Sequence, residues 1–120
     1  MNHPKLECIG QVAIFYVPIQ KLELVTPEGQ KIKDAIHDFL LGNFHALTLE
    51  ERSAQGFWRD KPDEPAYIDI NAKYEVSFDG GEDRVRIFVD FLSWLCHAIQ
   101  EKAIYLTMGK KSYLVRPNEI

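Results

Sequence analysis

Ala66-Tyr-Ile-Asp-Ile-Asn-Ala-Lys-Tyr-Glu-Val-Ser-Phe78 is the stretch on which the fold turns. Ile68, Ile70, Ala72, Tyr74, Val76 and Phe78 alternate with Tyr67, Asp69, Asn71, Lys73, Glu75 and Ser77. Successive side chains of a strand leave on opposite faces, so this alternation predicts one buried face and one wet face. Asp79-Gly80-Gly81 ends the run.

The helix predicted next, over Glu82 to Gln100, carries Arg86, Asp90, Ser93, His97, Gln100 and Glu101 on one polar stripe. The remaining positions from Val85 to Ile99 fill an apolar arc of about 220°, where a helix lying on a sheet needs about 100° or somewhat more. Ile87, Phe91 and Trp94 stand in that surplus. Monomers seldom leave large apolar patches bare, so the arc predicts a cover. That cover is the segment from Glu50 to Pro65, a second copy of the chain, or a different protein.

Upstream, Val12-Ala-Ile-Phe-Tyr-Val17 reads as a strand covered on both faces and closed by Pro18. Thr26-Pro27-Glu28 has the form of a helix start, with a hydroxyl cap, proline at the first position and an acid in the first turn. Ile32, Ala35, Ile36, Phe39 and Leu40 continue at helical spacing, and Gly42-Asn43 supplies the stop. A strand is expected over Phe44 to Leu49, then a long polar connection from Glu50 to Pro65. Within it, Gly56-Phe57-Trp58-Arg59-Asp60 has two readings. Either Phe57 and Trp58 fold back to pin the loop to the core, or Trp58 anchors an interface or ligand. Ile104 to Met108 and Ser112 to Val115 read as two short strands joined at Gly109-Lys110.

The order β-α-β-β-α-β-β, with both helices on one face of an antiparallel sheet, resembles a ferredoxin-like α+β sandwich with an extra C-terminal strand. The likeness is to a fold that hosts many functions, with no motif that carries residues over from a family. Residues 1–120 are expected to form a single domain. The size scaling gives about 6,700 Å² of folded surface against about 20,000 Å² unfolded, enough burial for a core without staples.

Charge and composition exclude several classes. Fourteen Lys and Arg against eighteen Asp and Glu leave a net charge of −4, unsuited to general phosphate-backbone binding. RNA-recognition modules share this element order but place basic and aromatic residues where Asp69 and Glu75 stand here, so no nucleic-acid partner is expected. Lys102, Lys110, Lys111 and Arg116 form either a solvated edge or a docking site for an acidic partner. Cys8 and Cys96 have no CxxC or zinc spacing and are expected as reduced thiols. The start has no signal-peptide pattern, and no apolar run approaches the roughly 18 residues of a membrane span, so the expected location is cytoplasmic with no membrane partner.

The search for chemistry yields one constellation. Glu82 and Asp83 occupy the helix start after Gly80-Gly81 and oppose a phosphate there. His3, His37, His45 and His97 have no pairing at ligand spacing, so neither metal nor cofactor is expected, and His37 and His97 are placed on the solvent side. Cys96 reads as a buried, inert thiol, and Ser53, Ser77, Ser93 and Ser112 lie in no nucleophile elbow. What remains is the wet face of the alternating strand, with Asp69, Asn71, Lys73 and Glu75 at steps of about 7 Å. Tyr67 and Tyr105 would flank it if the sheet is open there.

Two functions compete on these residues. The first is a non-catalytic binding or regulatory protein acting as a homodimer or on a protein partner, with Ile87, Phe91, Trp94 and Trp58 as interface anchors. The second is a small proton-transfer or isomerase-type enzyme, with Asp69 or Glu75 as base and Lys73 or Tyr105 as acidic or electrophilic partner.

Overall fold

The computed structural model describes residues 2–44, 46–59 and 61–119; His45, Asp60 and the Ser53 side chain, weighed above, lie outside the described residues. The elements are β1 (Gln11–Pro18), a 3-10 helix (Ile19–Glu23), α1 (Ile32–Phe44), β2 (Thr48–Trp58), β3 (Tyr67–Phe78), α2 (Glu82–Ala98), β4 (Ile104–Met108) and β5 (Lys111–Val115). The strands form one sheet in the order β2-β3-β1-β4-β5, with every neighbouring pair antiparallel. Two helices cover one face, which is the ferredoxin-like α+β arrangement with an added edge strand.

The core lies between that face and the helices. Ala13, Phe15 and Val17 of β1 are fully buried beside Ala72 and Tyr74 of β3, under Phe88, Leu92 and Leu95 of α2 and Ile36 and Leu40 of α1. Phe15 stacks on Tyr74 at 5.1 Å and 9°, and meets Phe88 edge-on at 5.9 Å. α1 leans over β3, whereas α2 leans over β4 and β5. Where the helices meet, Phe39 stacks on Phe91 at 3.9 Å and 3°, with Trp94 against the far side of the cluster at 5.6 Å. Part of the surplus apolar arc of α2 is therefore spent on α1, and Phe91 is half-buried within the chain itself. Ile87 stays 48% exposed. On another edge of α2, the Ser93 hydroxyl donates to the Arg116 carbonyl at 2.7 Å, and the Asn118 N–H donates to the Ser93 carbonyl at 3.1 Å. The residues after β5 thus lie along a stripe that its polarity assigned to solvent.

Four local expectations are corrected, one of them the strand expected over Phe44 to Leu49, which begins only at Thr48 because Phe44 is the last residue of α1 and is buried. Thr26-Pro27-Glu28 starts no helix. The Thr26 hydroxyl accepts from the Gln30 N–H at 3.2 Å, Gly29 turns the chain at φ +89°, and a bridge from Val25 to Lys31 closes a tight loop ahead of α1. Cap chemistry and turn chemistry share residue types, and here the turn prevails. Gly42 and Asn43 lie inside the last turn of α1, where Asn43 donates back to the Phe39 carbonyl at 2.9 Å. The polar segment after Leu49 is strand as far as Trp58, with a shift of register between Glu50 and Ala54. Accordingly, Phe57 and Trp58 do not pin a loop to the core; they stand 64% and 40% exposed on a strand.

That long strand creates an arm. Pro18, the last residue of β1, pairs with Asn71, so among the described residues Tyr67 to Ile70 pair with β2 alone. Beyond β1 the two-stranded ribbon projects past the helices, leaving Ile68 60% and Ile70 41% exposed despite perfect alternation. The molecule is extended accordingly. Its radius of gyration is 15.4 Å, where about 13.6 Å is usual for this length. Its surface is 8342 Å², well above the roughly 6,700 Å² of the scaling rule; the exposed residues 2–10 contribute to the excess as well.

Candidate functional site

The helix-free face of the sheet is concave where the arm leaves the body, and it holds a cleft of about 630 Å³. Register decides what faces it. Residues directly opposite in an antiparallel pair share a face, so Trp58 lies beside Tyr67, Gly56 beside Asp69, Ala54 beside Asn71, and Tyr16 beside Lys73. Tyr105 and Leu114 continue the same face on β4 and β5. Glu101 and Lys102, in the link from α2 to β4, and Arg116, after β5, form one rim; Arg59 stands at the other.

The aromatic side of the cleft is organised by the arm. Trp58 stacks on Tyr67 with centroids 4.7 Å apart and 24° between planes. Its indole N–H donates to Asp69 Oδ2 at 3.0 Å, fixing both the ring and one carboxylate oxygen. At Gly56 a Cβ would come within 3.1 Å of Asn71 Nδ2, so glycine leaves space for that amide beside Asp69. Across the floor, Tyr16 and Tyr105 lie 6.1 Å apart, and the Tyr105 hydroxyl is 3.1 Å from Ser112 Oγ.

The opposite rim depends on how α2 ends. Gln100 takes a left-handed conformation at φ +58°, while the Glu101 N–H bonds back to the Cys96 carbonyl at 3.0 Å. Such a turn closes a helix and redirects the next residue; here it delivers Glu101 to the cleft. Burial raises the Glu101 carboxyl above the usual glutamate range, the Lys21 ammonium opposes that rise, and the Asp69 carboxylate adds to it. Lys21 itself is committed to the Ile99 carbonyl at 2.6 Å, tying the 3-10 helix to the end of α2. Arg116 reaches the Lys102 carbonyl at 3.4 Å.

Of the wet-face and interface residues singled out from the sequence, the fold brings Asp69, Asn71, Tyr105 and Trp58 together in this cleft, with Phe57, Lys102 and Arg116 on its lining. Lys73 lies further down the sheet, 3.8 Å from Glu50. Glu75, paired with Thr48 and Ile14, stands lower still, roughly 20 Å from Asp69 at strand spacing. Lys73 and Glu75 are therefore outside the cleft, and the row of polar residues is not one constellation. Tyr16 and Glu101 were missed as site residues, and Arg116 was read only as part of a basic edge. Tyr16 was available in principle, since it shares parity with Ile14 opposite Glu75; Glu101 was hidden by its helical-wheel position, because the helix ends first.

The other candidates separate. His37 is half-buried rather than solvated, edge-on to Tyr74 at 5.8 Å with Nε2 3.4 Å from the Tyr74 hydroxyl, whereas His97 is exposed. Burial pushes the Tyr74 phenol well above its ordinary range. Cys96 is buried, its thiol pushed up to about 11 mainly by burial, while Cys8 is exposed. Lys110 and Lys111 sit at the turn of the β4–β5 hairpin and Lys102 and Arg116 at its other end, so the four cations form no single patch. Among the described residues no group of His, Cys, Asp and Glu could hold a metal ion, and no helix is long and apolar enough to cross a membrane.

No protein-family model matches the sequence, and no curated protein matches it. Two solved structures share the fold over nearly the full length. One, described as a phage SAM lyase in the apo state, is 11% identical with a TM-score of 0.62, covering 100% of this chain and 99% of that one. The other, a phage SAM lyase in complex with S-methyl-5'-thioadenosine, is 9% identical with a TM-score of 0.59, covering 97% and 96%. At these identities the likeness is one of fold.

Proposed function

We propose that this protein is a small enzyme that binds an S-adenosyl sulfonium in the cleft and splits it to S-methyl-5'-thioadenosine, a lyase rather than a non-catalytic regulator. The observation that carries the reading is the joining of aromatic faces and carboxylates in one cleft of about 630 Å³, within the usual range for small-molecule sites. It stands on a fold shared end to end with phage SAM lyases. Each part of such a substrate meets matching chemistry. Trp58, backed by Tyr67, offers a stacking surface to the purine. Tyr16, Tyr105, Asp69 and Glu101 suit the sulfonium cation. Arg116 suits the amino-acid carboxylate.

The reaction breaks the bond between sulfur and the carbon chain of the methionine part. The bonding pair goes to sulfur, cancels its charge and leaves a neutral thioether. The four-carbon fragment is completed in one of two ways. Its own carboxylate oxygen displaces the sulfur and closes a lactone, or a base takes a proton from the neighbouring carbon to leave an alkene. Only the second needs a base from the protein, and Asp69 is the carboxylate held in place for it. Either route consumes charge, so walls less polar than water, such as the Tyr16, Tyr105 and Trp58 rings offer, favour it over the fully solvated ground state.

The test is incubation of the purified protein with S-adenosylmethionine, following thioether release by chromatography against a protein-free control. Catalytic release is expected, with Trp58→Ala losing about tenfold or more, mainly through KM, as expected for a stacking contact of about 1–3 kcal/mol. Release no faster than the control, together with no binding of S-methyl-5'-thioadenosine, would overturn the reading. Identifying the four-carbon product as lactone or alkene decides the role of Asp69.

We also propose that the chain self-associates, through the arm in addition to Ile87 on α2. Phe57, Ile68 and Ile70 share the helix-side face of the arm and are exposed together. Light scattering on a sizing column should give a mass above one chain, and Ile68→Lys should return it to one; a wild-type monomer at high concentration refutes this.

A further inference from the structure

Resting on the lyase reading, we propose that Glu101 and Asp69 together make the cleft a gauge of positive charge: it holds cationic onium nucleosides and lets their neutral thioether counterparts go. The two carboxylates reach the cleft from different elements, Asp69 from β3 and Glu101 from the turn after α2. They are close enough for the Asp69 charge to oppose ionisation of Glu101. Of the cations near them, Lys21 offsets part of the rise at Glu101 without reversing it. Lys21 is held on the Ile99 carbonyl, Arg116 reaches the Lys102 carbonyl, Lys102 lies on the same rim, and Arg59 lies beyond Trp58. The aromatic faces of Tyr16 and Tyr105 complete the surroundings of a cation without adding charge of their own.

A ligand cation beside Glu101 offsets the burial and the Asp69 charge that oppose its ionisation, and the gain vanishes when the ligand is neutral. Splitting the carbon–sulfur bond converts the first case into the second. Substrate is therefore held by an interaction that the product lacks, and release follows from the chemistry itself. The sign with pH is fixed. Burial makes Glu101 retain its proton to higher pH than an ordinary glutamate, and a bound cation favours the charged form. Cation binding therefore expels a proton and weakens as pH falls through the range where Glu101 is protonated. Binding of a neutral nucleoside carries no such dependence.

Two unreactive probes isolate the charge. Sinefungin carries an ammonium where the sulfonium stands, and S-adenosylhomocysteine has a neutral thioether with the same purine and amino acid. Calorimetry at neutral pH should give sinefungin roughly tenfold tighter binding, as one desolvated cation contact would supply. Glu101→Gln should shrink the preference to about threefold or less, with S-methyl-5'-thioadenosine binding unchanged. In the wild type, which needs no variant to fold, the preference should shrink as pH is lowered. Equal binding of the two probes, a preference untouched by Glu101→Gln, or one that is flat with pH would each overturn the gauge. In those cases nucleosides still bind, and the lyase reading stands. Failure of all three nucleosides to bind removes the reading and the gauge together.

Discussion

The two halves of β3 obey one sequence rule and meet opposite fates. From Ala72 to Phe78 the inward residues are buried, Tyr74 completely; from Tyr67 to Asn71 the same parity leaves Ile68 and Ile70 open. Alternation dictates which side of a strand a residue leaves from, and nothing in it says whether anything lies there. The lower half has β1 as well as β2 beside it and helices above, whereas among the described residues the upper half pairs with β2 alone. The upper half also carries the cleft residues Asp69 and Asn71 on its other face. The part of the strand with least cover is thus the part that bears the proposed chemistry, in keeping with function placed where a scaffold leaves room.

The sharpest way to break this contrast is to truncate one inward residue in each half. Tyr74→Ala should cost about 3–5 kcal/mol, the range for buried aromatics, because the fully buried Tyr74 ring packs between Phe15 of β1 and His37 of α1. Equilibrium urea unfolding measures it, and a loss under about 1 kcal/mol would mean the lower half is no better packed than the arm. A middle-sized effect lies at the boundary between the halves, where the turn after α2 feeds Glu101 towards Asp69. Gln100 is a non-glycine residue at φ +58°, so Gln100→Gly should add about 1 kcal/mol of stability by removing left-handed strain. A thermal melt that stays put or falls would show that the Gln100 side chain contributes more than its backbone costs. The smallest effect belongs to the arm: Ile68→Ala should change monomer stability by no more than about 0.5 kcal/mol. A larger loss, measured under conditions where the chain is monomeric, would mean the arm is covered by the chain after all.

How far the sequence is legible follows the same line. The order of elements, the face of every residue on β3 and the burial of Cys96 were readable, because each depends on local periodicity or on the middle of an apolar arc. The course of β2 was not. Glu50-Glu-Arg-Ser-Ala-Gln55 has little strand propensity, and what makes it a strand is backbone pairing to β3, a contact with no signature in its own side chains. Phe91 was legible as apolar but not as satisfied, since its partner Phe39 comes from a helix more than fifty residues away in the chain. Of the cleft, Asp69, Tyr105 and Trp58 could be found from parity and aromatic content. Glu101 could not, because its place depends on the single left-handed residue before it.

The sheet order has a consequence in time. β1 lies at the centre, between β3 and β4, although it is the first strand to be made. Phe15 pairs with Leu106 on one side and Tyr74 on the other. At synthesis rates of about 5–20 residues per second, the most apolar strand waits roughly 5–18 seconds for its last neighbour to exist. During that interval Val12-Ala-Ile-Phe-Tyr-Val17 presents unpaired backbone on at least one side, the form of edge most prone to pairing with another chain. Completion of the sheet replaces that edge with the charged, bulged β2 on one flank and the lysine-bearing β5 on the other. The hazard of this topology thus belongs to the nascent chain, and the finished molecule carries little trace of it.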